Sequence, residues 1–282
     1  MERLLFGTAG TPTSSKRKSS ISGIKRIHEL GLGCMELQFL HDVRMGEKTA
    51  RAVGEVAKEL DIKLSAHAPY YTNLNTYDAK FFVNKGRILQ SAKIASICGA
   101  RSVVIHAASY QRDMPQAVYE RVKNTLGSIQ EQLRDEGVDI TLRVETTGRR
   151  SQFGSLEEVL ALTEVEGVLP CIDFPHLHAR TGRYDSGEEF AWVLAQVEYT
   201  LGREGLNDMY IHATGLEASE KERRMHFALE ESVFKYKELA QVFSDFDIKG
   251  MVICGYPNLE TDALALKEEY DTLELNTKHY HN

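Results

Sequence analysis

Short apolar runs rich in β-branched residues alternate with longer segments of helical period from one end of the chain to the other. The runs are RLLFG (3–7), CMELQF (34–39), KLSAH (63–67), RSVVIH (101–106), ITLRVE (140–145), VLPCID (168–173), DMYIH (208–212) and KGMVIC (249–254). The intervening patterns cover 19–31, 47–60, 77–98, 114–136, 155–164, 187–204, 230–243 and 259–275. Ser155 and Ser186 stand where helix N-caps belong, and Gly31, Gly99, Gly137 and Gly205 where helices should end. Strands alternating with helices imply a parallel sheet, and eight units without a Pro/Gly/Ser-rich linker predict closure. The expected fold is therefore α/β, a single (β/α)8 TIM barrel over 1–282, with a frayed tail at about 276–282 (NTKHYHN). A doubly wound open sheet is the runner-up, but GTAG at 7–10 does not fit its GxGxxG fingerprint.

Five runs end in a potential metal donor: His67, His106, Glu145, Asp173 and His212. One strand ending this way is ordinary. Five of them deliver donors to one end of a common scaffold, the C-terminal face where sites of this fold collect. Imidazole with carboxylate suits zinc, manganese or iron. The long loops 11–20, 107–114 and 214–226 follow strands and belong to the same face. His28, His41, His178, His279 and His281 lack that placement and are read as structural or solvent-exposed.

Composition adds limits. The 282 residues, 42% hydrophobic and 27% charged, make an ordinary globular chain, and barrels of about 250 residues form one domain. A net charge of −7 advertises no global basic field, although local Lys/Arg clusters and bound cations escape such a count. Cys34, Cys98, Cys171 and Cys254 show no CxxC spacing and read as buried, reduced thiols. No apolar stretch approaches the ~20 residues of a membrane span, and no signal-peptide core opens the chain. The expectation is an intracellular, cytoplasmic protein.

HAPYYTNL (67–74), VETTG (144–148), CIDFPHLHA (171–179) and the histidine of YIHATG (210–215) together resemble endonuclease IV. Members of that family are metal-dependent barrel enzymes of DNA repair that incise at abasic sites, within the xylose-isomerase-like TIM barrel superfamily. The resemblance follows order and spacing over nearly the whole chain, and the ending ERRMHFALEESVFKYKEL…YPNLETDALALK looks most like archaeal members. It implies a first metal at His67, His106 and Glu145. Glu145, the implied catalytic centre, would bridge to a second held by Asp173 and His212, and His176 and His226 would serve a third. It also implies that Tyr70 lies beside the abasic nucleotide and that Arg44 belongs to a loop that penetrates DNA. Lys16, Arg17 and Lys18 would then grip the backbone, with a solvated loop as the plain alternative.

Two positions depart from the resemblance. Arg224 stands where the family has an aspartate of the third site, and Gly255 where it has a glutamate after the eighth strand. Cys254 cannot substitute, because neighbouring strand residues face opposite sides. Glu217, Glu220 and Glu222 lie near Arg224, and no spacing argument selects among them. With two ligand carboxylates counted, Glu145 and Asp173, the expectation is one or two tightly held divalent metals, zinc first, with manganese or iron as alternatives. The third would be weak or absent. The expected function is a metal-dependent phosphodiesterase acting on abasic sites in DNA, with no membrane and no protein partner inferred. The alternatives are a sugar isomerase or epimerase built around one metal, and a metal- and DNA-binding relative whose catalysis is lost or changed.

Overall fold

The computed structural model describes residues 2–214 and 234–280, the last five by backbone alone. Eight strands, β1 (Leu4–Ala9), β2 (Cys34–Gln38), β3 (Lys63–His67), β4 (Ser102–Ile105), β5 (Thr141–Glu145), β6 (Val168–Asp173), β7 (Met209–Ala213) and β8 (Gly250–Cys254), pair in parallel and in sequence order. β8 returns to β1 through Leu4↔Gly250 to Thr8↔Cys254, so the sheet is a closed barrel with no free edge. The helices are α1 (Ser20–Glu29), α2 (Glu47–Glu59), α3 (Asp78–Ile97), α4 (Pro115–Asp135), α5 (Leu156–Ala161), α6 (Phe174–Thr181), α7 (Gly187–Asn207), α8 (Tyr236–Asp245) and α9 (Glu260–Tyr280).

Each strand splits its residues between two cores, as the two-residue period demands. Outward residues such as Phe6, Leu37, Ile105, Val144, Ile211 and Cys254 pack with the helices in the larger core. Inward residues Leu5, Cys34, Val104, Cys171, Tyr210, Met251 and Ile253 fill the barrel itself. Cys254 thus faces away from the interior while Gly255 lines its mouth, as the alternation predicts. All four cysteines are buried and outside any disulfide, and burial pushes the Cys98 and Cys171 thiols up to about 12.

Helix ends follow local chemistry, with four differences from expectation. Ser155 makes a full capping box with Glu158 at α5. Ser186 precedes α7 without a side-chain cap bond; Glu189 instead accepts from the amides of Tyr184 and Asp185. Gly31, Gly99 and Gly137 take positive φ after α1, α3 and α4, but in α7 the left-handed residue is Gly202 and not Gly205. The short helix α6 was unforeseen, because Asp173 is both a strand end and the N-cap that accepts from the His176 amide. The stretch 230–243 expected as helical is α8 from Tyr236 onward, and 230–233 lies outside the described residues. No helix among the described residues is long and apolar enough to cross a membrane.

The loop after β1 is anchored from the other end of the chain. Glu260, first residue of α9, accepts from the Thr13 amide (2.9 Å), the Thr13 hydroxyl (2.7 Å) and the Ser14 amide (2.7 Å). These bonds fix the stem from which Lys16, Arg17 and Lys18 project. Glu260→Ala is expected to lower stability by about 1–3 kcal/mol, the scale of losing hydrogen bonds to a charged group. It should also speed tryptic cleavage at 16–18. Unchanged digestion would show that the loop is held by something else.

Candidate metal centre

Barrel closure places the strand ends around one cavity of ≈ 640 Å³, lined among others by Glu36, Gln38, His67, Tyr70, His106, Glu145, Asp173, His176 and His212. Glu145 is its middle, 2% exposed. Its two oxygens serve different histidines. Oε2 lies 3.1 Å from His67 Nε2 and 2.7 Å from His106 Nε2; Oε1 lies 3.1 Å from His176 Nδ1 and 3.3 Å from His212 Nδ1. Asp173 Oδ2 stands 3.2 Å from His176 Nδ1 and 3.7 Å from His212 Nδ1.

Several details fit a divalent cation. The His67 Nδ1–H donates to the Ala68 carbonyl (2.6 Å), which leaves the Nε2 lone pair directed at Glu145. His106 Nε2 is buried without a hydrogen bond: it is near the carboxylate but out of line with it. Two donor groups, His67–His106–Glu145 and Glu145–Asp173–His176, converge closely enough to hold an ion. His176 fits least well, because its Nδ1 also lies 3.0 Å from the Thr146 carbonyl, and binding metal through that atom gives this bond up.

The electrostatics are those of a buried carboxylate among imidazoles. Burial alone would raise Glu145, but His106, His176 and His212 outweigh it and hold the carboxyl well below its usual range. Burial disfavours the His176 imidazolium, yet Asp173 and Glu145 lift its pKa to about 9. The same balance raises His67 through Glu145 and Glu36.

The remaining expected residues fall on the rim or beyond. Tyr70, 43% exposed, places its ring 4.6 Å from that of His67, and its hydroxyl donates to Gln38 Oε1 (2.7 Å). Arg44 is exposed on the loop after β2 and lines a separate shallow depression with Asp42. Lys16, Arg17 and Lys18 are exposed on the loop whose stem, Gly10 and Thr11, borders the cavity. His226, Arg224, Glu217, Glu220 and Glu222 lie outside the described residues.

Glu36 escaped the sequence reading. It is fully buried in the middle of β2, with Oε2 3.0 Å from His212 Nε2. It is a third buried carboxylate beside Glu145 and Asp173, the two ligand carboxylates expected from the sequence. The signal was present: a lone glutamate between Met35 and Leu37 in a buried parallel strand needs a partner inside the barrel. Strand-terminal position does not reveal it, because Glu36 lies one inward level below the strand ends, in register with Ser65, and reaches up to His212.

A closed eight-stranded barrel with a carboxylate–imidazole cluster at its C-terminal mouth defines the class. The chain belongs to the xylose isomerase-like TIM barrel family, whose profile matches residues 24–275. An uncharacterized protein of Methanocaldococcus jannaschii is 38% identical over 272 residues, covering 96% of this chain and 98% of that one. Among solved structures, endonuclease IV from Thermus thermophilus matches with a TM-score of 0.69 at 20% identity, over 96% of this chain and 98% of the other. A D-tagatose 3-epimerase-like protein matches with a TM-score of 0.71 at 17% identity, over 93% and 97%. At these identities the likeness to solved structures is one of fold.

A histidine raised above its unfolded value of 6.5 stabilises the fold below that pH and loses the contribution as pH rises through its folded value, about 9 for His176. The metal-free protein should therefore lose thermal stability between pH 6.5 and about 9. His176→Ala should flatten that slope. Melting curves in EDTA check this, and a midpoint that climbs with pH would contradict it.

Proposed function

We propose that the protein is a metal-dependent phosphodiesterase of the endonuclease IV type, with DNA carrying abasic sites as its substrate. The observation that carries the reading is the division of Glu145, one oxygen toward His67 and His106 and the other toward His176 and His212. A carboxylate shared in this way suits a pair of cations, whereas single-metal sugar chemistry has no need of a bridge. Divalent ions held there, zinc first, would neutralise a phosphate and acidify a water for attack on phosphorus.

The chain's own residues supply the rest. His67, His106 and Glu145 would hold one position; Glu145, Asp173 and His176 converge on the next, where His212 Nδ1 also stands 3.3 Å from Glu145 and 3.7 Å from Asp173. Tyr70 closes one wall of the cavity over His67 and His106, where it can flank a sugar lacking its base. Extruding such a nucleotide costs little, because its pairing is already lost.

The rim has the charge that a polyanion requires. Among the described residues of the segments after β1 to β6 and β8, up to the next covering helix, Lys16, Arg17, Lys18, Arg44, Arg112, Arg149, Arg150, Arg180 and Arg183 outnumber Asp42, Asp113 and Asp185, although Arg183 is paired with Glu189 of α7 (3.3 Å). The opposite end of the barrel is acidic: Glu2, Asp61, Glu136, Asp139, Glu166, Asp208 and Asp247 stand against Arg3, Arg101 and Lys249. The net charge of −7 conceals this polarity.

A sugar epimerase is the second reading. It is favoured by the similarity in fold to a D-tagatose 3-epimerase-like protein and by the apolar wall of Leu40, Pro175, Ile253, Tyr256 and Leu259 facing the donors. A nicking assay on duplex DNA with one abasic site, run with Mn²⁺, Zn²⁺ or EDTA beside ketose turnover, separates the two. The expected result is cleavage abolished by EDTA; turnover of a ketose without nicking would sink the first reading. Within that assay Glu145→Gln should lose on the order of a hundredfold more activity than His176→Ala, the scale of removing a principal electrostatic group. Metal analysis of protein purified without added metal should give one or two ions per chain, and three would contradict it. Replacing Lys16, Arg17 and Lys18 by alanine should weaken DNA retention and flatten its salt dependence by about one unit of slope per lost phosphate contact.

A further inference from the structure

The least explained group at the mouth is Glu36. It is a fully buried carboxylate on β2 with no lysine or arginine among its hydrogen-bond partners in the described residues, and it lies on the far side of His212 from Glu145. The neighbouring mouth positions are Ala9 at the end of β1 and Gly255 just after β8, neither of which offers a polar side chain.

The bonding of Glu36 decides between two roles. Its Oε1 accepts from Gln38 Nε2 (2.5 Å), and its Oε2 accepts from the Tyr210 hydroxyl (2.7 Å) and stands 3.0 Å from His212 Nε2. Tyr210 in turn is 2.5 Å from Ser65 Oγ, which completes its shell. Both carboxylate oxygens are thus engaged by protein donors, and neither is turned into the Glu145–Asp173 cluster. Glu36 is placed to act through His212 and not as a ligand.

His212 has one nitrogen for each side. Nδ1 looks toward Glu145 Oε1 (3.3 Å) and Asp173 Oδ2 (3.7 Å), while Nε2 meets Glu36. An ionised carboxylate only accepts hydrogen bonds, so Glu36 requires the proton on Nε2. That leaves the Nδ1 lone pair for a cation and raises the basicity of the ring. We propose that Glu36 is a positioning residue that fixes the His212 tautomer and thereby sets the metal affinity of the Glu145–Asp173–His212 position. A Gln38–Tyr70 bond continues the same chain to the rim, so the wall of the cavity and the far face of the metal position share one network.

The inference rests on the metal-centre reading above, and the test separates the two. Zinc affinity is measured by chelator competition for the wild type, Glu36→Gln and Tyr210→Phe. The tautomer of His212 is read from ¹⁵N–¹H correlation in the zinc-loaded wild type. Glu36→Gln can present either an oxygen or an amide to Nε2 and no longer dictates the tautomer. It should lose 10- to 100-fold in affinity, the usual effect of removing such a partner. Tyr210→Phe keeps the Glu36–His212 pair and should lose clearly less than Glu36→Gln, because the acceptor that directs the Nε2 proton survives. Wild-type affinity in Glu36→Gln overturns the proposal, as does an equal loss in Tyr210→Phe, which marks a merely structural network. Should Glu36→Gln fail to fold, the wild-type spectrum still decides: protonated Nε2 supports the proposal and protonated Nδ1 refutes it. A wild type that takes up no zinc overturns the metal-centre reading and this inference together.

Discussion

A carboxylate taken out of water has to be neutralised by what surrounds it, and the mouth of this barrel is arranged around that demand at Glu145. Moving an ion of this size into a low-dielectric interior costs several kcal/mol even after relaxation. Among the described residues no lysine or arginine meets the cost. Imidazoles do, from β3, β7, the segment after β4 and the first turn of α6. Histidines neutralise conditionally, since each keeps its charge only while its proton stays. The centre is therefore stable as a proton-bearing cluster and able to exchange those protons for cations, because both fillings answer the same negative charge.

Such a cluster exists only because the sheet closes. In an open sheet the ends of β3 and β7 would stand on opposite flanks. In the barrel the His67 and His212 rings lie 6.1 Å apart, centroid to centroid, and nearly parallel. Closure also layers the interior by polarity. The donors occupy the top, Glu36, Ser65 and Tyr210 the level below, and Arg143 the base, where its guanidinium bonds Asp208 (2.6 Å) and the Pro170 carbonyl (3.2 Å). Inward polar groups therefore find partners on other strands, while the outward faces stay apolar against the helices.

The sequence made the barrel legible because its signal is repeated eight times. β3 and β6 match their expected bounds, and the other strands differ by one or two residues at an end. Strand-terminal donors were legible for the same reason: a His or Asp closing a β-branched run breaks the period where the strand meets solvent. Glu36 and Arg143 were not, although each interrupts a buried run just as visibly. Their partners, His212 and Asp208, lie 176 and 65 residues away, and no local pattern names a partner across a barrel. α6 was hidden for a different reason. Asp173 ends β6 and caps the helix at once, so no connecting residues announce the change of element.

The charge distribution bears on the choice between a nucleic acid and a small sugar as substrate. A cavity of ≈ 640 Å³ with one apolar wall accommodates either a sugar or an extruded nucleotide, so size does not discriminate. The rim does. Arg149 and Arg150 after β5, Arg183 after α6 and the 16–18 cluster after β1 are exposed, and they extend a positive field well beyond a monosaccharide's reach. A free sugar gains nothing from such a field, whereas a phosphodiester backbone is steered and gripped by it. In the phosphodiesterase reading proposed above, the basic side chains on the face that bears the donors are what would steer a long polyanion toward them.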